Sequence, residues 1–156
     1  MKKIAKKNYV IVFFMFFIVV VLTLAGARFY NNSIKETSVL FNYLKNITSE
    51  ELTQYLSENP SAVIYISDKY DLSNNENEEL LKSKIIELNL YNNFLYMDKS
   101  QFNKKFIKQF NDKYKTNFDI SKLPIIIIYS DSYIKNIYYS IDSEIIDDLN
   151  LGDVKW

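Results

Sequence analysis

An uncharged apolar run near the N-terminus limits most strongly what this chain can fold into. The run extends from Tyr9 to Ala27 and contains no charged side chain. As an α-helix it would be about 28 Å long, close to the thickness of the hydrocarbon core of a bilayer. Apolar residues would cover every side of such a helix, which argues against burial in the core of a small soluble domain. The sequence therefore predicts one membrane-spanning segment over residues 9–27.

The charges around this run predict its orientation. Residues 1–8 form a basic tail with lysine at positions 2, 3, 6 and 7, and only Arg28 follows the run closely. The positive-inside rule then places the tail in the cytoplasm and the rest of the chain outside, as a single-pass protein of the cell membrane. A second interpretation stays open, because Ala25-Gly26-Ala27 is typical of a signal-peptide cleavage site and cleavage near Ala27 would release a secreted domain. The length of the run favours retention.

The residue types that the chain lacks exclude several kinds of chemistry. The sequence has no cysteine and no histidine. Disulfides, thiolate nucleophiles, zinc sites built from these residues and histidine acid–base catalysis are therefore excluded. The glycines, Gly26 and Gly152, are too few for a phosphate-binding loop. We expect no catalytic residue of the usual kinds, no metal and no cofactor.

The charge balance argues against a nucleic-acid partner. The chain has 19 basic and 19 acidic residues, and the basic tail leaves the remainder at about −4. A mildly acidic domain lacks the basic surface that nucleic-acid binding requires. Acidic residues cluster at Glu76, Glu78 and Glu79, where we expect them to be solvated partners of a helix dipole.

Beyond the span, residues 28–39 are polar and predict a short stalk, and residues 40–156 predict one α/β domain. Thr48 with Glu51 three positions later predicts a capping box that begins a helix ended by Asn59. The other predicted elements are a strand or helical turn at Leu40–Ile47, a buried strand at Ala62–Ile66, a helix from Glu76 with Leu81, Ile85 and Leu88 on one face, a strand at Asn93–Met97, a helix with a core-facing stripe of Phe102, Phe106, Phe110 and Tyr114, a hairpin of Leu123–Tyr129 with Tyr133–Ile141, and a last helix from Ser143.

Two stretches carry a resemblance to a known fold. The stretch "YISDKYDLSN" resembles the strand-to-helix junction of thioredoxin-like proteins, and "LPIIIIYSDSYI" resembles their proline-initiated strand and its turn. The order of elements is also similar. The resemblance implies a thioredoxin-like three-layer α/β/α domain with a central mixed sheet, preceded by one N-terminal transmembrane helix. More narrowly, "VIYIS", "FLYMD" and "LPIIIIY" behind one membrane segment resemble bacteriocin-accessory-type thioredoxin-like proteins of low-GC Gram-positive bacteria.

The resemblance also singles out candidate binding residues. It places Asp71 and Asn74 where redox relatives have the two cysteines of Cys-x-x-Cys, and neither residue can replace a thiolate in disulfide exchange. It implies a cis peptide bond between Leu123 and Pro124, beside which an extended peptide would dock by strand addition. The loop has a second interpretation, in which Asp71, Ser73 and Asn74 cap the following helix.

The sequence thus predicts a non-catalytic, membrane-anchored module that binds a secreted or membrane protein or peptide. The alternative is a degenerate relative of the thiol–disulfide oxidoreductases, or an enzyme that uses carboxylates such as Asp71.

Overall fold

The computed structural model describes the backbone of residues 4–33, 36–143 and 146, and the side chains of residues 9–28, 36–143 and 146. The chain divides into two units, Met1–Glu36 and Thr37–Trp156. The last predicted helix, from Ser143 to Asn150 and Gly152, lies largely outside the described residues.

The first unit contains one helix, α1, from Ile4 to Ser33. Its stretch Tyr9–Arg28 is long and apolar enough to cross a membrane, and its side chains are exposed. Both a membrane anchor and a signal sequence have this length and composition. The helix passes through the small residues at 25–27 and continues into the predicted stalk of residues 28–39.

The second unit is built on a five-stranded mixed sheet in the order β1-β3-β2-β4-β5. β1 and β2 pair with β3 in parallel, whereas β4 pairs with β2 and with β5 in antiparallel fashion. The predicted strands at Ala62–Ile66 and Leu123–Tyr129 are neighbours in this sheet, as expected. The strands are β1 Lys45–Asn46, β2 Ser61–Ser67, β3 Phe94–Asp98, β4 Ile125–Ser130 and β5 Tyr133–Tyr138.

Up to residue 142, four further α-helices cover the sheet, namely α2 Val39–Tyr43, α3 Ser49–Glu58, α4 Asn75–Glu87 and α5 Lys104–Tyr114. The segment Leu40–Ile47 contains both structures considered for it, because the single turn of α2 leads directly into the two-residue strand β1. The capping box at Thr48 is confirmed, since its side chain accepts the amide of Glu51 and the side chain of Glu51 accepts the amide of Thr48.

Alternate side chains of β2 enter two separate cores. Val63 and Tyr65 pack with residues of α2 and α4, whereas Ala62, Ile64 and Ile66 pack with residues of α3 and α5. Because both faces of the sheet are covered, every side chain of β2 is buried. The three layers, the strand order and the strand directions make this a thioredoxin-like fold, as predicted.

The apolar stripes predicted for α5 and α4 were not predicted equally well. The aromatic stripe packs in the core as expected: Phe110 is buried, and Phe102, Phe106 and Tyr114 are partly buried against the same cluster. Phe102 precedes α5, however. The predicted face of α4 is confirmed for Leu81 and Ile85, which are buried, but is wrong for Leu88, because α4 ends at Glu87 and Leu88 is 40% exposed. A positive φ at Asn89 turns the chain there, and Leu90 is buried instead.

Candidate functional site

The candidate site lies at the end of the sheet where β2 and β3 finish and β4 begins. The last paired positions of β2 and β4 are Ile66 and Ile125. One position further along each strand are Ser67 and Pro124, so the loop after β2 and the segment before β4 leave the sheet at the same end. The predicted binding residues Asp71, Asn74, Leu123 and Pro124 therefore belong to one end of the fold.

Local hydrogen bonds fix the loop between β2 and α4. The Oδ1 atom of Asp68 accepts the amide of Tyr70 at 3.0 Å, and that of Asp71 accepts the amide of Ser73 at 3.0 Å. Such side-chain-to-backbone bonds stabilise turns without a regular element. The bonds to Ser73 hold the pKa of Asp71 below its ordinary value, so this carboxyl is ionised at neutral pH.

A charge pair and a cross-strand contact tie this loop to the end of β3. Lys99 lies 2.6 Å from Asp68, and this contact lowers the pKa of Asp68 and raises that of Lys99. The side chain of Asp98 accepts the amide of Lys69 at 3.0 Å. The loop is therefore anchored at two points along its first half.

The interpretation of this loop as a set of helix caps is wrong. Asn74 precedes α4, but its side chain makes no capping hydrogen bond, and its Nδ2 donates to the hydroxyl of Ser73 at 3.2 Å. The reason is its backbone: a capping side chain starts from extended dihedrals, as at Thr48, whereas Asn74 has φ −103° and ψ 6°. The turn bond of Asp71 to Ser73 also lies outside the helix.

Of the two predicted binding residues before β4, one is partly accessible. The peptide bond between Leu123 and Pro124 is cis, as the resemblance implied. Pro124 is buried and Leu123 is half-buried against the core of α3 and α5. Of these two predicted binding residues, Leu123 therefore offers the larger surface.

Exposed apolar side chains at this end were missed by sequence reasoning. Tyr70 and Leu72 in the loop are 48% and 37% exposed, and Tyr139, which directly follows β5, is 38% exposed. Lysines lie against both tyrosines, with Lys69 5.1 Å from the ring centre of Tyr70 and Lys122 5.5 Å from that of Tyr139. The signal in the sequence was a tyrosine and a leucine inside an otherwise polar loop.

A buried carboxyl behind the loop was also missed. Glu78 was expected to be solvated, but it is fully buried in α4. Its Oε2 accepts the amide of Leu40 at 3.0 Å, and its Oε1 accepts the hydroxyl of Tyr65 at 2.8 Å. Burial raises the pKa of Glu78, and these hydrogen bonds oppose that change only in part. In the described part of the chain, no group of three acidic side chains is placed to hold a metal ion.

Comparison with known proteins shows similarity of fold and no closer relationship. No family model and no curated protein matches the sequence. A cysteine-to-serine mutant of a thioredoxin from Entamoeba histolytica is similar with a TM-score of 0.48 and 15% identity, covering 70% of this chain and 98% of that one. Oxidised thioredoxin O2 from Arabidopsis thaliana has a TM-score of 0.46 and 14% identity, covering 72% and 96%. A point mutant of a thioredoxin from Halobacterium salinarum has 0.44 and 11%, covering 69% and 88%.

The strand order and strand directions, rather than these distant likenesses, define the class of this protein. It has a thioredoxin-like domain, a helix long and apolar enough to span a membrane, and no thiol anywhere in its sequence.

Proposed function

We propose that this protein is a membrane-anchored, extracytoplasmic and non-redox module that binds an extended segment of another secreted or membrane protein. The observation that carries the proposal is the set of exposed apolar side chains at the candidate site, namely Tyr70, Leu72 and Tyr139. Exposed aromatic side chains of this kind are enriched in protein–protein interfaces.

The geometry of the loop supports binding without large rearrangement. Asp68, Asp71 and Asp98 each accept a backbone amide in or beside the loop, so the backbone that presents Tyr70 and Leu72 is already held in place. A pre-organised surface loses less conformational entropy when a partner binds. Beyond Ile66 and Ile125 the strands β2 and β4 are no longer paired with each other, and the proposal places the bound segment at this end of the sheet.

The chemistry of the site supports recognition over catalysis. Thiol–disulfide exchange requires a thiolate, and the sequence contains no cysteine. An enzyme that used Asp71 as a general acid or base would need a pKa near neutrality, whereas the bonds from Ser73 lower the pKa of Asp71. The resemblance to bacteriocin-accessory-type proteins directs the proposal toward a secreted factor as the bound partner.

Site-directed photocrosslinking of the full chain in its own membrane tests the proposal. A photoreactive residue at Leu72 or Leu123 should give a discrete crosslinked product with another protein. The matched control is Leu80 on α4, which is 50% exposed and lies outside the candidate site. Equal labelling from Leu80 would contradict the proposed site.

A reductase assay tests the non-redox part separately. The full chain should not accelerate the reduction of insulin by dithiothreitol above the rate without protein, because it has no side chain to form a mixed disulfide. Reproducible turnover by purified protein would refute this part of the proposal.

A further inference from the structure

Positive charge is concentrated in one stretch of the domain, although the chain is neutral overall. Between Lys99 and Lys122 the sequence has seven lysines and two aspartates, a net charge of +5. The basic tail carries +4, so the remaining residues carry −9. An asymmetry of this size within one small domain is typical of a surface that meets a polyanion.

Much of this charge lies on the outer face of α5. Lys104, Lys105 and Lys108 are all exposed. At about 100° per residue, Lys108 lies about 160° around the helix from the buried Phe110. Within the described part of the chain, none of these three lysines forms an ion pair, whereas Lys82, Lys84 and Lys135 each do.

The lysines oppose the stability of the helix that carries them. α3 and α4 begin with acidic residues, as the helix dipole favours, but α5 has no acid in its first turn. Lys104 and Lys105 occupy that turn instead, and Lys104 and Lys108 are like charges four residues apart. Residues that destabilise their own helix and form no ion pair within the domain indicate a role in binding another molecule.

We propose that the outer face of α5, formed by Lys104, Lys105 and Lys108, binds the anionic headgroups of a lipid bilayer. The complementary charge is one argument for this occupant. The other is α1, because a chain that spans a bilayer keeps its domain within reach of headgroups at high effective concentration. Screening limits the attraction to about 8 Å at physiological salt, so it acts only near the membrane surface.

The expected effect is large enough to measure. A lysine close to an anionic surface changes the docked-to-undocked ratio about fivefold, so three lysines change it about 100-fold. This contact does not depend on peptide binding at the candidate site, because it uses the outer face of a different helix.

Energy transfer to labelled lipid tests the proposal with the full chain. The sequence has no cysteine, so Gln109→Cys gives a unique labelling position on the exposed side of α5. The labelled chain is reconstituted in phosphatidylcholine vesicles with or without phosphatidylglycerol, both containing a headgroup acceptor dye. Transfer should be higher with phosphatidylglycerol and should fall to the phosphatidylcholine value at high salt. Equal transfer in both lipids would overturn the proposal.

Two variants that each lose three positive charges distinguish docking through α5 from a general effect of net charge and from a loss of folding. K104Q/K105Q/K108Q should lose the lipid-dependent transfer and should melt at the same or a higher temperature, because it removes charges that oppose the helix. K82Q/K84Q/K135Q removes the same charge from lysines that are already ion-paired, and should keep the transfer. Equal loss in both variants would overturn the assignment to α5. Loss of the phosphatidylglycerol-dependent transfer on addition of soluble polyglutamate at matched ionic strength would indicate an acidic protein as the partner and would overturn the lipid assignment.

Discussion

Replacing Glu78 with glutamine tests the physical account of the buried carboxyl. Its two oxygens accept the amide of Leu40 at 3.0 Å and the hydroxyl of Tyr65 at 2.8 Å. Glutamine keeps the shape but retains one acceptor, so one donor is left unpaired at a cost of about 1–3 kcal/mol. Glu78→Ala would strand both donors and cost about 2–6 kcal/mol, a large part of the stability of a small domain. The glutamine variant is therefore the informative one.

The pH dependence of this cost gives the sharper test. Burial raises the pKa of Glu78 in the folded state, so its contribution to stability is fully present below the unfolded pKa of about 4.3 and declines as pH rises through the folded value. Glutamine does not titrate. Burial also raises the pKa values of Tyr65 and Tyr96, which stay neutral in this range. The stability advantage of wild type over Glu78→Gln should therefore shrink as pH rises above the unfolded pKa.

Urea titration of both full-length proteins in detergent, followed by circular dichroism at several pH values, measures this difference. Hydrogen exchange at the amide of Leu40 supplies a local readout, since that amide loses its acceptor if glutamine turns its nitrogen toward it. An advantage of wild type that grows as pH rises would mean that the folded protein prefers the ionised carboxylate. That result would refute the account of a carboxyl dominated by burial.

Two further substitutions test contacts that define the fold. Thr48→Ala removes the side-chain half of the capping box on Glu51 and should destabilise the domain by about 1 kcal/mol in urea titration, whereas Thr48→Ser should be close to neutral. Tyr129→Phe removes a hydroxyl that donates to the carbonyl of Leu56 at 2.9 Å, and the loss should be about 1 kcal/mol by the same assay. No change in either variant would show that the corresponding hydrogen bond is not formed.

The parts of the fold that depend on near neighbours were predictable from the sequence. The capping box involves Thr48 and Glu51, which are three positions apart, and the buried strands appear as continuous apolar runs. The order of these elements then indicated the thioredoxin-like architecture. That architecture in turn predicted that Asp71 and Leu123 lie at the same end of the sheet.

The parts that depend on distant partners were not predictable. The residues around Glu78 do not distinguish it from its exposed acidic neighbours. Its burial depends on Leu40, 38 positions earlier, and on Tyr65 in strand β2. The failure of Asn74 to cap α4 depends on backbone dihedrals that residue type does not specify. The exposure of Tyr70 depends on how the loop is tied to Asp98.

The most direct test of the binding proposal compares two pairs of exposed apolar residues. Tyr70→Ala with Leu72→Ala truncates the candidate site, and Leu80→Ala with Ile86→Ala truncates residues on α4 that are at least as exposed. Binding of the crosslinked partner to the immobilised full chain is measured for both variants. The first pair should weaken binding about tenfold or more, as expected for interface aromatic residues, and the second should leave it unchanged. Wild-type binding by the first pair, or equal weakening by both, would contradict recognition at this end of the sheet.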